Sequence, residues 1–122
     1  MQLEKFSIRK RSQSFGYAFA GVIRFFRSEH NAWLHLAATA GVVVLAIVLP
    51  VSGLETALLV FAVGFVWVAE LFNTCIEKIM DFISTERHPK IQIIKDMSAG
   101  AVLLAAITAL VTGMAIFVPK IV

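Results

Sequence analysis

Glu70, Asn73, Glu77 and Asp81 follow one another at spacings of three, four and four residues. On an α-helix that spacing puts them along one face. An uncharged, mostly apolar run from Thr56 to Ala69 leads straight into them. A carboxylate held in lipid is costly, so ionisable side chains inside a membrane segment mark a functional site by default. The chemistry open to such a row is specific. Two carboxylates can share a Mg²⁺ together with substrate phosphates, and a drier carboxylate suits a general base near neutral pH. The only cysteine is Cys75, and no Cys/His spacing resembles a zinc site. Any metal would therefore be a hard cation held by oxygen.

The elements that must position these residues are membrane helices. The chain has 122 residues, room for one domain over 1–122, and 59% of them are hydrophobic. Its mean hydropathy is +0.85, too apolar for an ordinary soluble domain of this length. Two further runs are as long and apolar as the central one. Ala32 to Val51 is interrupted only by His35, and Met97 to Pro119 carries no charge. Each approaches the roughly 20 residues that cross about 30 Å of hydrocarbon. The fold class is all-α and integral to the membrane, with transmembrane helices at about 31–49, 54–83 and 93–118. Residues of about 3–27 read as an amphipathic surface helix, because Phe15, Phe19, Val22 and Phe26 recur at spacings of three and four. A plain anchor is the alternative for that segment. Met1 to Arg11 is polar and basic, and no compact apolar core with a cleavage site follows, so it does not read as a signal peptide.

Charge placement orients the bundle. The net charge is +3. Lys5, Arg9, Lys10, Arg11, Arg24 and Arg27 precede the first span, and Lys78, Arg87, Lys90 and Lys95 lie between the second and third. The Pro50–Gly53 turn has no Lys or Arg, and only Lys120 follows the third span. The positive-inside rule predicts a cytoplasmic N-terminus, a cytoplasmic second loop and a C-terminus outside.

Helix rise then gives depth. Thr56 to Glu70 is about 21 Å of helix, and Glu77 lies about 10 Å further on. Glu70 therefore falls near the cytoplasmic end of the hydrocarbon, with Glu77 at the interface. Glu29, just before the first span, and Lys95 and Asp96, at the start of the third, belong to the same interfacial layer. Glu29 and Glu77 are the candidate metal ligands, Lys95 the neutraliser of phosphate oxygens, Glu70 the candidate base, and Asn73 a group that orients it or its substrate. A soluble, metal-bound anion would thus face a base that looks into lipid. The structural alternative is mutual ion pairing, Glu29 with Lys95 or Glu77 with Lys78 or Arg87. That alternative is weakest for Glu70, since no basic residue lies near it in sequence or at its estimated depth. His35 reads as a polar contact between helices. His88, beside Glu86, reads as a solvated loop residue or a nucleotide contact. Trp33 and Trp67 read as anchors or packing. Ala101, Ala105, Ala109 and Gly113 form a small-residue stripe that allows close helix packing.

With these pieces assembled, the chain resembles the small bacterial integral-membrane lipid kinases, diacylglycerol kinase and undecaprenol kinase. The pieces are Ser14-Phe15-Gly16-Tyr17-Ala18 with Gly21, Glu29-His30-Asn31, the stretch from Glu70 through Asn73 and Glu77 to Asp81, Glu86-Arg87-His88, and Lys95 to Ala101. The resemblance covers nearly the whole chain. It implies an ATP-dependent lipid kinase in the bacterial cytoplasmic membrane, with Mg²⁺ and a homotrimer whose sites lie between subunits. It implies that Glu70 is the base and that Glu29 and Glu77 hold the metal with ATP. Tyr17, Asn73, Glu86, Arg87, His88, Lys95 and Asp96 then belong to the nucleotide site, and Asn31, His35 and Ala99 to the lipid. Lys10 stands where the diacylglycerol kinase pattern has Arg, flanked by Arg9 and Arg11, and lacks the bidentate fork of that residue. Asn31 to His35 and Lys95 to Gly100 are more similar to the undecaprenol kinase branch. A rival from another class is a small proton-coupled transporter using Glu70. Three spans, carboxylates crowded at one face and a metal-like pair argue against it.

Overall fold

Ser7 starts the first helix by capping it, its side-chain oxygen accepting the Lys10 N–H at 3.4 Å. The computed structural model describes residues 5–122. They form four helices, α1 (Ile8–Ser28), α2 (His30–Val48), α3 (Gly53–Ile83) and α4 (Pro89–Ile121). The expected surface helix thus begins at Ile8, and its expected residues 3 and 4 lie outside the described part.

A single extended residue, Glu29 (φ −118°, ψ 119°), separates α1 from α2. Its N–H bonds to the Phe25 carbonyl at 3.1 Å and its own carbonyl accepts the Ala32 N–H at 3.2 Å. Glu29 occupies the N-cap of α2, yet its carboxylate makes no capping bond. The next boundary is closed fully. Ser52 and Glu55 form a capping box at 3.1 Å in each direction, which fixes the start of α3 just after Pro50.

α4 corrects two expectations. It begins at Pro89, four residues before the predicted Ile93, because Pro suits the first helical position and the extended His88 (φ −124°, ψ 132°) caps it. His88 Nδ1 accepts the Lys90 N–H at 3.1 Å. At the other end Pro119 does not stop the helix, which runs on to Ile121. In the last turn the loss is confined to the one bond its missing N–H would make. The Val122 N–H still reaches the Val118 carbonyl at 3.1 Å.

α3 and α4 pack as an antiparallel pair, and α2 and α1 lie against them more sparsely. Ala105, from the small-residue stripe, is wholly buried. Towards the Pro50 end, Leu59, Ile116 and Phe117 form the core with Val42, Ala46, Leu49 and Val51 around it. There Lys120 Nζ meets Glu55 at 3.0 Å and joins the two long helices. α2, α3 and α4 are each long and apolar enough to cross a membrane. Large apolar side chains such as Val44, Phe61 and Leu104 are exposed along them, as in a protein whose solvent is lipid.

Candidate active site

Glu70 is only 6% exposed on α3, and its Oε1 lies 2.6 Å from His35 Nε2 on α2. This overturns the expectation that Glu70 has no basic group at its depth. His35 lies about 7 Å into α2 from the same membrane face, at 1.5 Å per residue, so the two side chains meet at one level. A second bond runs parallel to the first. The Trp67 indole N–H donates to Thr39 Oγ1 at 3.0 Å, and the Thr39 hydroxyl donates to the His35 carbonyl at 2.7 Å. Trp67 precedes Glu70 by three residues and Thr39 follows His35 by four, so both rungs join facing turns of α2 and α3.

The C-terminal end of α1 closes over this pair. Phe25, 4% exposed, stands edge-on to Trp67 at a centroid distance of 6.1 Å, and Phe26 lies at 5.1 Å. One turn further along α3, Asn73 Oδ1 accepts the hydroxyl of the buried Ser98 on α4 at 2.7 Å. Nearer the end of α3, Asp81 pairs with Lys95 at 2.6 Å, and Gln92 donates to Asp96 at 2.8 Å. Lys95 therefore bonds to Asp81 rather than to Glu29. Glu29 and Glu77 are half-buried, and among the described residues neither carboxylate has a hydrogen-bond or ion-pair partner. No three His, Cys, Asp or Glu side chains converge among the described residues.

The remaining expected site residues fall in two places. Glu86, Arg87 and His88 line a cavity of about 300 Å³ in the loop between α3 and α4, together with Ser84 and Lys90. Lys10 and Tyr17 are exposed on α1, and Tyr17 is about 12 Å of helix from Phe25. Asn31 is exposed at the start of α2, and Ala99 is exposed about three turns into α4. Sequence reasoning places none of Ser98, Thr39 and Trp67 at the site. The signal is the spacing itself, His35 to Thr39 and Trp67 to Glu70, on two helices whose contact the sequence does not reveal.

An apolar groove of about 440 Å³ runs from this cluster between α2, α3 and α4. His35, Thr39 and Trp67 lie at one end, and Leu45, Phe117 and Val118 at the other. Along α2, His35 to Leu45 is about 15 Å, the reach of a lipid chain. The arrangement is an apolar groove with His35 at one end, and behind His35 the buried carboxylate of Glu70, which does not itself line the groove.

Comparison with known proteins shows the family. Residues 16–117 match the family model for prokaryotic diacylglycerol kinase. The chain belongs to that family. It is similar to the undecaprenol kinase of Bacillus subtilis, 33% identical over 109 residues that cover 89% of each chain. It is also similar to a diacylglycerol kinase of Synechocystis, 35% identical over 109 residues, covering 88% of this chain and 62% of the relative. The diacylglycerol kinase of Escherichia coli K12 is 35% identical over 104 residues and 80% of each chain. The protein is accordingly a lipid kinase of the bacterial membrane type, and the transporter reading is not favoured.

Proposed function

We propose that this protein transfers the γ-phosphoryl group of Mg²⁺-ATP to the hydroxyl of a membrane lipid, undecaprenol or diacylglycerol, at the cytoplasmic face. The observation that carries the reading is Glu70, buried and held by His35, the residue that lines the end of the apolar groove. A lipid lying in the groove would bring its hydroxyl to that carboxylate. Glu70 accepts the hydroxyl proton as the lipid oxygen attacks. The basic residues gathered at the same ends of the helices support a cytoplasmic location for the site, with the Glu55–Lys120 end outside.

Glu29 and Glu77 fit a divalent cation. They are hard oxygen donors, half-buried, and their charges are not neutralised by any described side chain. Bound there with the nucleotide, Mg²⁺ would offset charge on the phosphate oxygens. Lys95, drawn from Asp81, and Lys10 would meet the same oxygens. Asn73, Glu86, Arg87, His88, Asp96 and Tyr17 would hold the nucleotide, with the cavity beside His88 on one flank. Asn31, His35 and Ala99 would border the lipid. The homotrimer, with α1 lying on the membrane surface over the site, is what the family resemblance implies, and the exposed apolar side chains leave room for neighbouring subunits as well as lipid.

The test is to offer the purified protein labelled ATP with undecaprenol and diacylglycerol in parallel. Label in either lipid supports the reading and names the substrate. Label in neither, with ATP bound, would overturn it.

A further inference from the structure

We propose that His35 is a positioning residue for Glu70, holding Oε1 so that Oε2 is presented to the lipid hydroxyl. The inference rests on the reading of Glu70 as the base. A carboxylate accepts hydrogen bonds and donates none. The 2.6 Å contact with an ionised Glu70 therefore places the imidazole proton on Nε2. Such a bond is short because it is charge-assisted, and it takes one carboxylate oxygen out of free rotation. Oε2 has no partner among the described residues.

His35 is itself held. Thr39 bonds to the His35 carbonyl at 2.7 Å and accepts the Trp67 N–H at 3.0 Å, so the turn of α2 that carries His35 is pinned one turn from Glu70. Among the described residues no other charged group shares the task. α4 has none between Asp96 and Lys120, and α1 presents Phe25 and Phe26 to Trp67. His35 also lines one end of the apolar groove, so the carboxylate it holds lies directly behind the groove wall. In the transfer the lipid oxygen bonds to the γ-phosphorus. The bond from that phosphorus to the β–γ bridging oxygen breaks, and its electron pair leaves on ADP. The hydroxyl proton passes to Glu70 Oε2, while His35 keeps its own proton throughout.

The experiment compares full-length wild type, His35→Ala, His35→Gln and Glu70→Gln, purified in mixed micelles with labelled ATP and both lipids. His35→Ala should lower kcat by about ten- to a hundredfold, the loss of one charge-assisted hydrogen bond, beside any rise in the KM for lipid that its place on the groove brings. His35→Gln, whose amide N–H reaches Oε1, should recover most of that loss. The ¹⁵N spectrum of His35 should show the Nε2-protonated ring in wild type and keep it in Glu70→Gln, whose amide oxygen still accepts the bond. This readout stands even where His35→Ala fails to fold. A wild-type kcat in His35→Ala would overturn the proposal, as would a rise in lipid KM alone or an Nδ1-protonated ring in wild type. An inactive Glu70→Gln beside a fully active His35→Ala removes only the role of His35. An active Glu70→Gln removes the base reading itself.

Discussion

Replacing Ser98 with Ala removes one oxygen atom and little volume, so it tests a single bond between the two longest helices. Ser98 is 7% exposed, and its hydroxyl gives Asn73 Oδ1 a 2.7 Å hydrogen bond. No other described residue donates to that oxygen. Hydrogen bonds between membrane helices average about 0.6 kcal/mol and reach about 1.7 kcal/mol. A half-buried amide left without its donor belongs in the upper part of that range. Ser98→Ala should therefore cost about 1–1.7 kcal/mol of stability, read as a lower unfolding midpoint in detergent titration. If Asn73 orients the nucleotide, loosening it should also raise the KM for ATP. The rise is bounded at about eighteenfold by the same energy, at 1.36 kcal/mol per tenfold. In an Asn73→Ala background the same substitution should add little to either effect. Unchanged stability and unchanged KM in Ser98→Ala would refute the reasoning, because the bond would then hold nothing that matters to fold or nucleotide.

Two further outcomes separate the chemistry from the scaffold. Glu77→Gln should lose turnover at low Mg²⁺ and regain part of it at high Mg²⁺ in a metal titration; no response to added metal would make Glu77 a structural residue. Lys120→Met breaks the ion pair with Glu55 at the far end of the bundle. It should lower the melting temperature and leave the turnover number at 25 °C unchanged, checked by a thermal scan beside a steady-state assay.

The membrane helices are legible in the sequence because an apolar run as long as a bilayer crossing rarely suits a soluble fold. The two prolines of α4 mislead about its ends. Pro89 favours a helix start and so recruits Lys90 and Gln92 into it. Pro119 sits late enough that the last turn survives. At the site, the row from Glu70 to Asp81 is visible from spacing alone. Its partners are not, because the pairings of Glu70 with His35 and Asn73 with Ser98 depend on the rotation of one helix about another. His35 is legible as a polar contact between helices, but not as the partner of Glu70 as long as only Lys and Arg are counted for a buried carboxylate. Histidine fills that role in a dry site without bringing a permanent charge.

The most direct measurement is the turnover of Glu70→Gln under saturating ATP and lipid. The Gln carbonyl still accepts the His35 Nε2–H, so the fold and ATP binding should be kept. Without a carboxylate to take the hydroxyl proton, kcat should fall by about 10²–10⁴. A kcat within about twofold of wild type, against that expected loss, would contradict the account and remove Glu70 from the reaction.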